Sequence, residues 1–243
     1  MLRTLPNVVR FRPTAEGNLL RRRHALVVVL TFLTGSADAV GFLALGGAFS
    51  SVMTGNMVLL GLSAGSGHAD LALTSGCAIL SFITGVLAGA RLARRARPDD
   101  PVWPRQVTRA LALELLVFVV FLVVWTVNLP HPSAHVALAL LMLSAAALGI
   151  QSSAIQRFGV PGLSSTYLTG TLTSLIAGVA ARSSWRDLRP KAHVLLALMT
   201  GAAVGALVAI HLPAWSPVLL LVPLVLVIAV SSRMAERGSD GAS

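Results

Sequence analysis

The chain has 243 residues, of which 55% are hydrophobic and only 12% charged, and it carries a formal net charge of +10. A charged share about half the ~25% usual in soluble domains, with the apolar residues gathered in long blocks, excludes a soluble fold and points to the bilayer as solvent. The cations cluster at the ends of those blocks, where orientation in the membrane accounts for them, so the lipid bilayer is the expected partner and no nucleic acid is.

The tail, residues 1–23, holds six arginines. Its Arg21-Arg22-Arg23 precedes an apolar run longer than a signal core and without a cleavage box, so it reads as a cytoplasmic tail and not as a cleaved leader. Segment A follows over about 24–45. Segment B, 46–67, is rich in Gly, Ser and Thr, and segment C covers about 71–90. A basic loop carries Arg91, Arg94, Arg95, Arg97, Arg105 and Arg109 against Asp99 and Asp100. Segment D covers about 110–127, and a neutral turn at 128–132 closes the first half.

The second half repeats the order. A′ is about 135–158 and B′ about 163–181; a basic loop holds Arg182, Arg186, Arg189 and Lys191; C′ is about 192–211, a neutral turn occupies 212–217, and D′ is about 218–231. The tail 232–243 is polar and expected to be disordered. The transmembrane domain therefore spans 24–231, with repeat 1 over about 24–130 and repeat 2 over about 131–231. The halves also match in detail. Ile83-Thr-Gly-Val-Leu-Ala-Gly-Ala90 aligns with Met199-Thr-Gly-Ala-Ala-Val-Gly-Ala206, and Ser51-Val-Met-Thr-Gly-Asn56 with Thr166-Tyr-Leu-Thr-Gly-Thr171.

Loop charge decides the topology. If all eight segments crossed, the arginine-rich 91–109 loop would fall outside. If B and B′ instead enter and leave on one side, six segments cross and every strongly basic loop lies inside with both tails. Each half then has an odd number of crossings, so the repeats are inverted. The predicted fold is an all-α polytopic bundle of six spans with two re-entrant or broken segments. Gly46-Gly47 and Pro161-Gly162 are the breaks, and the half-helices after them would bring positive N-terminal ends toward the midplane. The alternative is that B and B′ are ordinary short helices whose hydroxyls bond to their own backbone.

Polar residues inside the apolar blocks are the candidate site. Asp38 lies deep in A, where a carboxylate costs at least ~2.5 kcal/mol and is by default functional or paired. It is a candidate for proton coupling, or else a carboxylate bonded to backbone at a helix break. Gln151 falls near the equivalent place in A′. Thr54, Gly55 and Asn56 pair through the repeat with Thr169, Gly170 and Thr171; either box contacts solute or caps a half-helix. Glu114 is within reach of Arg109 or Arg105, which suggests an interfacial salt bridge. Gly85-x-x-x-Gly89 and Gly201-x-x-x-Gly205 are small-residue packing motifs, acting within the chain or between protomers of a homo-oligomer.

No catalytic set appears. The histidines stand near segment ends without zinc spacing, no nucleotide fingerprint is present, and the lone Cys77 forms no internal disulfide. The expectation is no enzyme activity, no cofactor and no metal.

Asp38-Ala-Val-Gly-Phe-Leu-Ala-Leu-Gly-Gly, Phe49-Ser-Ser-Val-Met-Thr-Gly-Asn56, Gly149-Ile-Gln-Ser-Ser-Ala-Ile-Gln-Arg157 and Ser165-Thr-Tyr-Leu-Thr-Gly-Thr-Leu-Thr173 together resemble the bacterial YoaK family, DUF1275, over about 25–230. The resemblance implies a multi-pass protein of the bacterial inner membrane and little about activity. The expected function is a transporter or channel for a small solute, with its site where the repeats meet. The competing reading is a non-transporting assembly or regulatory membrane protein.

Overall fold

The computed structural model describes residues 13–93, 104–129, 132–156 and 168–239. The Pro161-Gly162 break, residues 163–167 of B′ and the centre of the first basic loop lie outside them. Among the described residues there are eight α-helices and no strand: α1 Pro13–Ala44, α2 Met53–Ser66, α3 Ala69–Ala93, α4 Arg105–Val127, α5 Ala134–Gln156, α6 Leu168–Ala180, α7 Trp185–His211 and α8 Ser216–Ser239. A single 3-10 turn, Pro213–Trp215, joins α7 to α8.

Six of these helices are long and apolar enough to cross a membrane, while α2 and α6, at 14 and 13 residues, are not. Two boundaries differ from the sequence reading. Helix α1 starts at Pro13 inside the basic tail, and α8 runs on to Ser239 beyond the predicted span. Hydropathy marks where a helix leaves the apolar layer, not where it ends. Arg, Glu, Met and Ala are strong helix formers and carry the backbone onward into polar surroundings.

The centre of the bundle is α1 and α5, the first helix of each half. Each has 67% of its apolar window buried, against 22–33% for the other four spans. Their polar residues are tolerated because hydroxyls bond back along the helix. Thr31 donates to the Val27 carbonyl at 2.8 Å and Thr34 to the Leu30 carbonyl at 2.9 Å.

Helices α3 and α7 then pack across the halves. A Cβ at Gly85 would collide with the Ala146 backbone of α5, and one at Gly89 with Ile150 and the Ser153 hydroxyl. On the other side, a Cβ at Gly201 would collide with the Phe32 backbone of α1, and one at Gly205 with Ser36. The partners reciprocate: Gly149 meets the Phe82 carbonyl and Gly35 the Leu198 carbonyl. Both glycine motifs are thus buried in equivalent contacts within the chain, where backbone meets backbone. Ser36 adds a cross-helix bond to the Gly201 carbonyl at 2.9 Å.

These paired contacts set the register between the halves at an offset of 116 for α3 and α7 and 114 for α1 and α5. Asp38 therefore corresponds to Ser152, and Gln151 sits one residue away from the place that sequence matching suggests.

Helices α4 and α8 close the bundle as an antiparallel pair. Trp125 Nε1 donates to the Pro213 carbonyl at 3.0 Å at one end, and the Thr108 and Ser231 hydroxyls lie 3.5 Å apart at the other. The buried face of α4, Val107, Leu111, Glu114, Phe118, Phe121 and Trp125, alternates steps of four and three. Leu220, Leu224, Val227 and Ser231 do the same on α8. This is the spacing of a knobs-into-holes seam.

Candidate functional site between the two halves

The chain after α1 turns back on itself. Gly46 and Gly47 adopt φ of 105° and 79°, a region open to glycine and costly for other residues. The reversed segment then runs back beside α1, down to the level of Asp38. There Ser51 N–H donates to Asp38 Oδ1 at 2.7 Å and the Ser51 hydroxyl to Oδ2 at 2.6 Å. Asp38, only 6% exposed, thus fills the anion position just ahead of α2. Of the two roles open to it in the sequence, the geometry is that of a carboxylate bonded to backbone at a helix break.

Asn56, wholly buried, holds the same loop from the other side. Its Oδ1 accepts from Phe49 N–H at 2.9 Å and its Nδ2 donates to the Phe49 carbonyl at 2.7 Å. Phe49 in turn stacks on Phe42 of α1, with ring centroids 4.9 Å apart. Of the rest of that box, Thr54 is exposed, and Gly55 packs its backbone against Val52 and Phe49.

In the second box Thr169 and Gly170 are exposed at the start of α6, and Thr171 is buried. Helix α2 packs on α3 and α6 on α7.

What does meet between the halves is Gln151 and Thr34. Gln151 Nε2 donates to Thr34 Oγ1 at 2.8 Å across α5 and α1, and Gln151 is 1% exposed. Thr34 has given its own proton to the Leu30 carbonyl, so its oxygen faces Gln151 as an acceptor. That orients the amide: Nε2 points to Thr34, and Oε1 points away into the interior without a partner. Thr34 and Asp38 are one turn apart on one face of α1, so Thr34, Gln151 and Asp38 form a polar row along the seam.

Glu114 is a second unpartnered group. It is fully buried, and neither carboxylate oxygen has a hydrogen-bond partner. The predicted salt bridge to Arg109 or Arg105 does not form. At about 100° per residue those arginines lie some 140° and 180° around the helix from Glu114, and both are exposed while Glu114 lies on the buried face of α4. The four–three spacing of 107–125 is the sequence signal that marks Glu114 as inward. For Thr34, no signal separates it from the other hydroxyls of α1. Among the described residues no group of three or more His, Cys, Asp or Glu could hold a metal.

The fold and this interior define a polytopic all-α membrane protein built from two interlocked halves around buried polar side chains. The family model described as "Protein of unknown function (DUF1275)" matches residues 26–231. The chain is 33% identical over 210 residues to the UPF0700 transmembrane protein YoaK of Bacillus subtilis (strain 168), covering 82% of this chain and 91% of that one. The chain belongs to the DUF1275 family, as its sequence boxes suggest. No solved structure matches it.

Proposed function

We propose that this protein is a transporter or channel for a small solute, with the solute bound where the two halves meet, around Gln151. The observation that carries this reading is the unpartnered Gln151 Oε1 beside Thr34, on the two most buried helices. A buried carbonyl without a partner costs about 1–3 kcal/mol, and a solute that donates a hydrogen bond would recover it. Broken segments at membrane depth are also the usual means by which inverted-repeat transporters line a site. The protein would lie in the bacterial inner membrane with both termini cytoplasmic, as the basic loops favour. No reaction chemistry is assigned to it. Because both glycine motifs face partners inside the chain, a homo-oligomer would assemble through other faces.

The test is light scattering by proteoliposomes challenged with gradients of urea, glycerol and ammonium chloride. Relaxation for at least one of these should exceed that of protein-free vesicles and should slow in Gln151→Leu. Flux indifferent to Gln151→Leu would remove the site from this seam.

The second reading, a non-transporting assembly or regulatory protein, draws support from the bonds of Asp38 and Asn56, which go to holding the 45–52 loop. It predicts no flux in any of these gradients, with stability alone changed by Asn56→Ala.

A further inference from the structure

Helices α7 and α8 diverge over α1 and leave an open apolar groove between them. Toward the end where α1 and α7 begin, it encloses about 470 Å³. Val28 and Phe32 of α1 form its floor, and His193, Leu196, Val222 and Leu226 its walls. A second stretch of about 490 Å³ shares Phe32, Val222 and Pro223 and continues to Trp215 at the opposite end.

The polar end of this groove is marked by charge from all three helices. Seven residues are nearly two helical turns and return to the same face. Arg21 stands seven residues before Val28, Arg189 seven before Leu196, and Arg233 seven after Leu226, and all three arginines are exposed. Three exposed arginines, one from each helix, therefore stand on the groove's faces about 10 Å beyond its lining residues. From Arg21 to Phe32 is 11 residues, or about 16 Å, which is one leaflet of a ~30 Å hydrocarbon core.

We infer that this groove is a binding site for one anionic phospholipid, with an acyl chain lying over Phe32 between α7 and α8 and the phosphate held by Arg21, Arg189 and Arg233. Guanidinium groups are suited to phosphate through paired N–H donors, and an apolar slot beneath a basic mouth is the form such lipid sites take. Orientation in the membrane explains why cations gather at this end. It does not explain why they register with a groove, nor why the other half lacks the arrangement. At the matching positions Leu73 stands for Arg189 and His135 for Arg21, and α4 packs more closely on α5 than α8 does on α1.

The test uses the full chain purified in a non-ionic detergent and titrated with phosphatidylglycerol or phosphatidylcholine, with bound lipid counted by native mass spectrometry. The expected result is one phosphatidylglycerol retained in preference to phosphatidylcholine. Each of Arg21→Gln, Arg189→Gln and Arg233→Gln should reduce that preference roughly fivefold, since each arginine near an anionic surface contributes about 1 kcal/mol. All three are surface positions, so the variants should fold. Leu226→Trp, which fills the slot from an exposed wall, should lower retention of both lipids and leave the arginines in place. Equal retention of the two lipids by the wild type, or a preference unaffected by all three arginine variants, would overturn the inference. So would displacement of the lipid by inorganic phosphate, because recognition would then lie in the arginines without the groove.

Discussion

Asp38 and Ser51 are joined by two hydrogen bonds, N–H to Oδ1 at 2.7 Å and hydroxyl to Oδ2 at 2.6 Å, so that both oxygens of one carboxylate fasten one residue of the loop. Bonds to a charged acceptor contribute about 1.5–3 kcal/mol each, and a buried acceptor stripped of its donors costs a similar amount. Asp38→Ala removes both acceptor oxygens and leaves the Ser51 N–H without its partner. It should lower unfolding stability by about 2–4 kcal/mol, while Ser51→Ala, which keeps the N–H bond, should cost less. The two variants should be non-additive, because they remove the same contact. Thermal unfolding of the detergent-purified variants and their double mutant measures this. Additive effects would show that the carboxylate acts on something other than Ser51.

Glu114 presents the opposite case, a buried carboxylate with nothing to hold. It interrupts an otherwise apolar seam, with Leu111 and Phe118 beside it on α4. Glu114→Leu restores the heptad and removes the unsatisfied group, and should raise the unfolding midpoint by an amount corresponding to about 1–3 kcal/mol. Glu114→Gln, which keeps the polarity, should give less. If flux is found in the wild type, a variant that gains stability and loses flux would mark Glu114 as kept for function at the expense of stability. A loss of stability in Glu114→Leu would mean the carboxylate has a partner in the folded protein.

How much of this was legible from the residues alone depends on the range of the contact. The six spans read directly from apolar blocks of membrane length, and the two halves from their matching Thr-Gly and glycine boxes. The inward face of Glu114 was also present in the four–three spacing of Val107 to Trp125. Hidden from the sequence was the fate of Asp38, because its partners come from a loop whose path is fixed by Gly46, Gly47 and the Asn56–Phe49 pair acting together. The Gln151–Thr34 contact was hidden for a related reason: it depends on a register between α1 and α5 that is set by glycine packing on two other helices.

That packing makes its own prediction, with a built-in control. A methyl group at Gly201 would fall within van der Waals overlap of the Phe32 backbone, which no rotamer change can relieve. Gly201→Ala and the equivalent Gly85→Ala should each destabilise the fold by about 2 kcal/mol or more, as overpacked cores do. Gly61 has nothing within 4 Å of an added Cβ, so Gly61→Ala should be neutral or gain up to about 1 kcal/mol from helix propensity. Unfolding midpoints of the three variants decide it. Equal tolerance at all three positions would mean that α3 and α7 do not pack on the central helices as closely as described.

The α4–α8 pair, finally, fixes which chain ends share a face. Arg105 and Arg233 belong to the Thr108–Ser231 end, and Asn128 and Leu212 to the Trp125–Pro213 end. With basic residues inside, single cysteines at 105 and 233 in a Cys77→Ala background should resist an impermeant maleimide added to intact cells and react once the cells are opened. Cysteines at 128 and 212 should react in intact cells. Labelling of 105 and 233 from outside, with 128 and 212 protected, would invert the orientation and leave the pairing of ends intact. Labelling that separates 105 from 233 would break the pairing itself, since antiparallel helices joined at both ends must present those two residues to the same side.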